Sequence, residues 1–383
     1  MGLHVASAVS EHPIPAHGVG ACLGDLLEAG GPGPAAVVVA VTEALAGALD
    51  DVVDATRRVL GPEALVAVTV GGVVGGAREV TDRAAVMMFA VWDHTGGVTP
   101  LRTVRLSTRP SPDGVVTDGL DALRHAVGTL VLFADPFGTD SDGLLADLAT
   151  VAPDLRVVGG LLSAARQPGG NRLVLDGAAW TDGAVGVLLP PDVVGPALVS
   201  QASRAIGPTL TVTAVADAAS PDGTSVLTEL AGRPARAQLD ELLAGLDPEL
   251  RTLAGPGLFV GRVDADQLEQ LMLLGGDIGT GGLAVAGTVE VGDAVRFEVR
   301  DPTVVEPELL EQSHRAAGAT GGFVVMSARR GVRFHGRVDA DAEAAADALG
   351  PVPLAGVVLG GEFAPIAARN RHLTASVVVL PLR

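Results

Sequence analysis

The sequence predicts an α/β fold of two domains, with mixed, partly parallel sheets built from repeated βαβ units plus antiparallel hairpins. One pattern, written three times, carries most of this. Each copy reads apolar strand, amphipathic helix, Pro-containing break, second strand, then Gly-Gly and a polar loop with an arginine. Strands this apolar on either side of a helix describe right-handed crossovers in a buried parallel sheet. Between the copies lie segments that read as antiparallel hairpins, which favours a mixed sheet over a purely parallel one.

Leu3 to Val9 reads as a first strand and Ala16 to Ala29 as a helix. The first copy runs from Ala36 to Val41 through a helix ending at Leu60, Gly61-Pro62 and strand Leu65 to Thr69, into Gly71-Gly72 and Arg78. Arg83 to Trp92 and Leu101 to Thr108 are strands, Pro110 to Thr117 a polar turn, and Leu120 to Val127 a short helix. The second copy runs from Leu130 to Phe133 through a helix near Leu144 to Leu148, Ala152-Pro153 and strand Leu155 to Val158, into Gly159-Gly160 and Arg166. Strands Arg172 to Leu175 and Gly183 to Leu189 follow. Pro190-Pro191 and Gly195-Pro196 flank an expected linker, because proline ends strands and helices alike.

Ala197 to Thr213 reads as two strands around Gly207-Pro208. Asp222-Gly223 is a turn signal, Ala235 to Leu246 a helix, Leu258 to Gly261 a strand and Asp264 to Leu274 a helix. Residues 275–282 are too glycine-rich to be regular. Gly282 to Gly287 and Ala294 to Arg300 are expected to pair as a hairpin across Val291-Gly292-Asp293, and Glu306 to Ala317 to form a helix. The third copy runs from Phe323 to Met326 through a helix at Asp341 to Leu349, Gly350-Pro351 and strand Leu354 to Leu359, into Gly360-Gly361 and Arg369. Leu373 to Leu380 is a terminal strand.

A chain of 383 residues predicts two domains, here divided as 1–205 and 206–383. It has no Tyr and only Trp92 and Trp180, so Val, Ala and Leu must fill the core. The formal net charge is −19, which argues against nucleic acid and against an anionic membrane surface as partners. Cys22 is the single cysteine, which excludes an intrachain disulfide and a cysteine-rich metal site. No apolar run is long enough to span a bilayer, and the first residues lack the pattern of a secretory signal. A soluble cytoplasmic protein is the expectation.

The motifs admit few chemistries. Gly18 to Gly24 has one residue too many for a dinucleotide fingerprint, and Gly71 to Gly76 is followed by no Lys-Ser or Lys-Thr of a P-loop. No motif requires a cofactor. The Gly-Gly pairs allow close backbone approach, either for a tight strand exit or for a ligand. Arg78, Arg166 and Arg369 follow them, and arginines converging at strand ends would suit a carboxylate. Asp135, in Asp135-Pro136-Phe137, either caps the next segment or points into a strand-end site. Arg300-Asp301 ends another strand and Glu362 sits beside the third Gly-Gly; acid and arginine together suit a zwitterion, or are plain exposed ion pairs. Catalysis has little support: there is no nucleophile elbow, and the eight histidines are scattered, with His12 and His17 poorly spaced for a metal.

The chain resembles proteins of the FIST family. The resemblance rests on Gly71 through Val80, Asp135-Pro136-Phe137, Val157 through Ser163, Gly183 through Val187, Val199-Ser200-Gln201, Ile206-Gly207, Val295 through Asp301, Arg330-Gly331, Gly361 through Pro365, and Asn370, His372 and Thr374-Ala375-Ser376. It implies paired N- and C-terminal FIST domains, an intracellular sensory role and an amino-acid-like small ligand. Val68-Thr69, Ser203 and Ser327 stand where the family often has cysteines, which weakens any thiol chemistry, and Ala364 replaces a usual glycine.

Taken together, the expectation is a sensory protein that binds a small metabolite and signals to a downstream protein by contact. Gly71, Gly72, Arg78, Asp135, Gly159, Gly160, Ser163, Arg300, Asp301, Ser327, Arg330, Glu362, Arg369 and Asn370 are the candidate ligand-binding residues, with a site that spans both domains. The alternatives are a small-metabolite enzyme of hydrolase or transferase type, with Ser163 or Ser327 near a histidine, and a purely structural or interaction protein.

Overall fold

A computed structural model describes residues 3–93, 96, 101–111, 114–216, 224–264, 267–277, 281–366 and 368–383. They form two compact units, one of residues 1–200, 305–365 and 369–383 and one of residues 201–304 and 366–368. No described helix is long and apolar enough to cross a membrane.

The first unit contains three repeats of one plan. The first repeat comprises β1 (His4–Ser10), α1 (Pro15–Gly30), β2 (Ala36–Thr42), α2 (Leu49–Val59), β3 (Ala64–Val70), β4 (Gly72–Gly75), β5 (Arg78–Thr81) and β6 (Val86–Trp92). The second comprises β7 (Arg102–Ser111), β8 (Gly114–Asp118), β9 (Gly128–Ala134), α3 (Ser141–Val151), β10 (Leu155–Leu161), β11 (Leu173–Leu175), β12 (Ala178–Trp180) and β13 (Ala184–Leu189). The third opens with β14 (Leu198–Ser200).

The second unit interrupts that repeat with β15 (Ser203–Ala205), β16 (Leu210–Val215), β17 (Thr224–Leu230), β18 (Arg233–Pro234), α4 (Ala235–Gly245), α5 (Pro248–Gly257), β19 (Leu258–Asp264), β20 (Gln267–Asp277), β21 (Gly282–Ala286) and β22 (Ala294–Arg300). The third repeat then resumes with α6 (Val305–Glu311), β23 (Gly321–Ser327), α7 (Val332–His335), α8 (Ala340–Leu349), β24 (Leu354–Leu359), β25 (Gly361–Ile366), β26 (Arg369–Leu373) and β27 (Val377–Leu382).

Each repeat builds one parallel pair: β2 with β3, β9 with β10, β23 with β24. The first strands of these pairs, such as Ala36–Thr42, are buried throughout and predominantly apolar because helices and neighbouring sheets cover both faces. The return strands β6, β13 and β27 add antiparallel to the first strand of each pair. The hairpin that follows each pair is lent to another sheet: β4–β5 to β24, β11–β12 to β3, and β25–β26 to β10. The three sheets are therefore β1-β6-β2-β3-β11-β12, β26-β25-β10-β9-β13-β7-β8 and β14-β27-β23-β24-β4-β5. Every sheet holds strands from two repeats.

The inner faces of the three sheets meet in a dry core. Each contributes a phenylalanine: Phe89, Phe133 and Phe323, the last edge-on to the other two at 5.5 and 6.2 Å between ring centroids. A hollow of about 20 Å³ remains there, lined by Val38, Val131, Val187, Phe323 and Leu380 among others. Helices cover the outer faces. Val19, Cys22 and Leu26 of α1 and Leu49, Val52 and Val53 of α2 pack on Val37, Val39 and Val41, while Leu144, Leu145 and Leu148 of α3 pack on Leu130 and Leu132. Burial pushes the Cys22 thiol up to about 12, helped by the charge of Asp25. That thiol is inert at neutral pH.

In the second unit β16, β17, β21, β20, β19 and β22 pair in that order, and β22 pairs back with β16, closing an antiparallel barrel. Its core includes Val212, Leu227, Val260, Leu271, Phe297 and Leu239 of α4.

Several expectations are corrected. Asp264 to Leu274 is no helix: β20 alternates, Leu271 and Leu273 packing inward while Met272 and Leu274 stay about half exposed. Its Leu, Gln and Glu favour helix locally, and barrel pairing overrides them. Gly282 to Gly287 and Ala294 to Arg300 do not pair with each other. β21 lies between β17 and β20, and β22 between β16 and β19, because barrel closure separates them. Residues 190–196 are no linker: Val193 and Val194 are buried, and the Gly195 N–H donates to the Pro381 carbonyl. Pro110-Ser111 and Gly114 to Thr117 belong to the paired strands β7 and β8, and Leu120 to Val127 shortens to a 3-10 turn at Leu120–Leu123. Residues 197–213 carry three strands, not two, and the Asp222-Gly223 turn lies outside the described residues.

Candidate functional site

The crossings between sheets come together. Gly71 joins β3 to β4, Leu162 and Ser163 follow β10, and Gly360 joins β24 to β25. The Ser163 hydroxyl accepts from the Gly71 N–H at 2.9 Å and donates to the Val358 carbonyl at 2.7 Å. The Gly360 N–H donates to the Leu161 carbonyl at 2.8 Å. Space explains the glycines: a Cβ on Gly71 would lie 2.8 Å from the Ser163 Oγ, and one on Gly72 2.7 Å from the Thr81 side chain. Gly159 and Gly160 are not in a loop; they lie within β10, opposite Phe363 and Glu362. A Cβ on Gly159 would sit 1.9 Å from the Leu132 carbonyl oxygen. This group serves close strand crossing.

Ser327, Arg330 and Glu362 meet in a second group, sealed from solvent. Arg330, between β23 and α7, donates Nε and Nη2 to the two carboxylate oxygens of Asp341 on α8 at 2.9 and 2.7 Å. Its Nη1 donates to the Ala375 carbonyl at 3.0 Å, and its guanidinium lies 4.9 Å from the Phe334 ring centroid. His335 Nε2 is 2.8 Å from Asp341 Oδ1. Burial alone would raise the Asp341 pKa, but His335 and Arg330 outweigh it and hold the carboxyl below its ordinary range. Glu362 Oε2 accepts from the Ser376 N–H and hydroxyl at 2.9 and 2.8 Å, whereas Oε1 has no hydrogen-bond partner among the described residues. Burial pushes the Glu362 carboxyl up to about 7, against the hydrogen bonds of Ser376 and Ser327 and the charge of Arg330. The Ser327 hydroxyl accepts from the Ala375 and Arg329 N–H groups at 3.1 and 3.3 Å.

Glu79 of β5 extends this network. Its carboxylate accepts from the Asp341 and Ala342 amides in the first turn of α8 at 3.1 and 3.2 Å, where the helix dipole favours negative charge. Burial and the Asp341 charge raise its pKa.

Beside Glu79 lies an open polar groove of about 300 Å³ between β1 and the β4–β5 hairpin, lined by Ser7, Val9, Glu11, Gly75, Arg78 and Val80. Arg78 Nη2 pairs with Glu11 at 2.9 Å, and Arg83 reaches the other Glu11 oxygen at 3.1 Å. The Arg78 side chain is 68% exposed, so most of its guanidinium faces water.

The remaining candidates are separate. Buried Asp135 accepts from the Phe137 and Gly138 N–H groups at 3.0 Å each and from Asn171 Nδ2 at 2.9 Å, a turn-capping arrangement. Asn370 extends the edge of β10, accepting from the Val157 N–H and donating to the Leu155 carbonyl, both at 2.8 Å. Arg78 and Arg369 each open the second strand of an exchanged hairpin, at the edges of two different sheets. Ala178 holds that place in the third hairpin, and Arg166 belongs to the connection ahead of it. Arg300 and Asp301 belong to the second unit. Asp301 accepts from Arg204 at 2.9 Å and from the Thr303 N–H and hydroxyl at 2.8 and 2.7 Å. Burial raises its pKa, and these partners bring it below the ordinary range. Arg300 lies 5.5 Å from the Phe259 ring centroid.

Sequence reasoning missed Ser7, Glu11, Glu79 and Asp341 as site residues. Nothing local marks Glu11, which follows a strand and precedes Pro13. For Asp341 the available signal was an acid at the start of an alanine-rich helix, eleven residues after an arginine.

The family model of the FIST N domain matches residues 35–233, and that of the FIST C domain matches residues 236–365. An uncharacterized protein of Mycobacterium tuberculosis is 34% identical over 333 residues, 84% of either chain. An uncharacterized protein of Mycobacterium bovis is 33% identical over 356 residues, 90% of this chain and 89% of its own. FIST domains are associated with sensory signal transduction. With both models matched in tandem and relatives aligned over most of its length, the chain belongs to the FIST family.

Proposed function

We propose that this FIST protein is a sensory module that binds a small zwitterionic metabolite, an amino acid or similar small carboxylate, in the groove at Arg78 and Glu11. It signals occupancy to a downstream protein by contact and performs no reaction of its own. One observation carries the reading: a carboxylate and a largely exposed guanidinium stand 2.9 Å apart in a groove of about 300 Å³. That volume lies at the lower end of small-ligand sites. A ligand carboxylate would take the solvent-facing N–H groups of Arg78, and a ligand ammonium would take Glu11, each through a charge-assisted bond.

The test is a thermal-shift screen of the twenty amino acids and short carboxylates at millimolar concentration. A binder present at a hundred times its Kd stabilises by about 2.7 kcal/mol. Arg78→Ala and Glu11→Gln should each abolish the shift while changing the free protein by no more than about 1 kcal/mol, because exposed ion pairs contribute little. A screen without hits, or a hit that survives both substitutions, overturns the proposal.

A further inference from the structure

A buried carboxylate needs a cation or a full set of donors, because burial strips its hydration. Glu362 has neither in full. It is fully buried; Oε2 takes two bonds from Ser376, Oε1 has no hydrogen-bond partner among the described residues, and only the nearby Ser327 hydroxyl and the charge of Arg330 add to this. Arg330 is already committed to Asp341 and to the Ala375 carbonyl through Nε, Nη1 and Nη2.

The surrounding elements bring these charged and titratable groups. β26, the neighbour of β25, carries His372, driven toward its neutral form by burial, with Asp142 opposing and Arg329 reinforcing that shift. β10, on the other side, places Gly160 opposite Glu362 and offers no side chain. The segment after β23 brings Arg329 and Arg330, α7 brings His335, and α8 brings Asp341; the last two are bound to each other. Glu79 of β5 is held by the amides of α8.

We propose that Glu362 is a proton-binding site that latches the exchanged β25–β26 hairpin onto β10. With the proton bound, the carboxyl is neutral and its unpartnered oxygen carries no charge. When the proton leaves, a charge that its partners compensate only in part is buried inside β25, and the hairpin loosens from the edge it completes. Burial places this change near neutral pH, where a sensory protein meets it. The latch works without any ligand in the Arg78 groove and does not rest on that reading.

The experiment follows the side-chain carboxyl carbons of the full chain by 13C NMR, together with amide hydrogen exchange as protection factors. One glutamate resonance, absent in Glu362→Gln, should titrate near pH 7. Protection at Gly160, Leu161 and Phe363 should fall by roughly tenfold per pH unit from about pH 5 to 6.5 and level off above about 7.5, whereas Glu362→Gln should hold constant protection. Where Glu362→Gln fails to fold, Ser376→Ala takes its place: loss of the hydroxyl donor should move the midpoint upward. An ordinary carboxylate midpoint, protection that ignores pH, or a midpoint unmoved by Ser376→Ala overturns the proposal.

Discussion

Gly160 of β10 lies directly opposite Glu362 of β25, and a Cβ on this glycine would sit 2.0 Å from the Gly361 carbonyl oxygen. The exchanged hairpin can therefore dock only on a strand that lacks a side chain there. Gly160→Ala should cost at least about 3 kcal/mol, since backbone rather than a pliable side chain blocks the methyl group. Urea unfolding measures it, and a cost under about 1 kcal/mol would show that the hairpin can stand off.

The Arg330–Asp341 pair is fully out of water, so removing one partner strands the other. Asp341→Asn or Arg330→Met should each destabilise by about 3–5 kcal/mol. Combining Arg330→Met with Asp341→Leu should cost clearly less than the sum of the two single changes, because no lone charge then remains. Additive effects in a double-mutant cycle would contradict this account.

Stability should pass through a maximum in weakly acidic solution. Glu362 binds its proton more tightly folded than unfolded, so its contribution is complete below about pH 4.5 and is lost as pH rises through about 7. The rise above the ordinary glutamate value of 4.5 corresponds to roughly 3 kcal/mol. Glu79 is raised also and acts in the same sense. Asp341 is lowered, and its contribution disappears as pH falls through its folded value. Lowered His372 also withdraws stability on the acid side, since the unfolded chain takes up a proton there more readily than the folded one. Denaturation profiles should show Glu362→Gln flattening only the alkaline limb.

Ser163→Ala leaves the Gly71 N–H and the Val358 carbonyl unpaired where three repeats cross. A loss of about 1–3 kcal/mol is expected, with the overall fold retained by circular dichroism. An unchanged denaturation midpoint would mean that water replaces the hydroxyl at no cost.

Much of this architecture can be read from the sequence. The Val- and Ala-rich runs at 36–41, 130–133 and 323–326 are the first strands of the parallel pairs, because sheets covered on both faces tolerate little else. The exchange was not legible. Gly71-Gly72 and Gly360-Gly361 mark where a strand leaves its sheet, but nothing in a local pattern names the sheet it joins. The barrel was least legible: residues 267–274 have helical composition, while α5 begins at Asp247-Pro248-Glu249, a helix start whose signal was present and went unread. Glu362 drew notice through its neighbours Gly360 and Gly361. Its lack of a counter-ion depends on Arg330 being engaged by Asp341, a fact of packing alone.

The lending of hairpins has a consequence for assembly. A single repeat cut free would carry one hairpin with nowhere to dock and one bare sheet edge, complementary halves of a head-to-tail contact. Three such contacts close on themselves, because the debt passes from the first repeat to the third, from the third to the second, and from the second to the first. The first unit is in this sense a cyclic trimer whose subunits share one polypeptide. Its three parts differ in what they carry: an open groove and an exposed arginine belong to one hairpin, a buried acid to another.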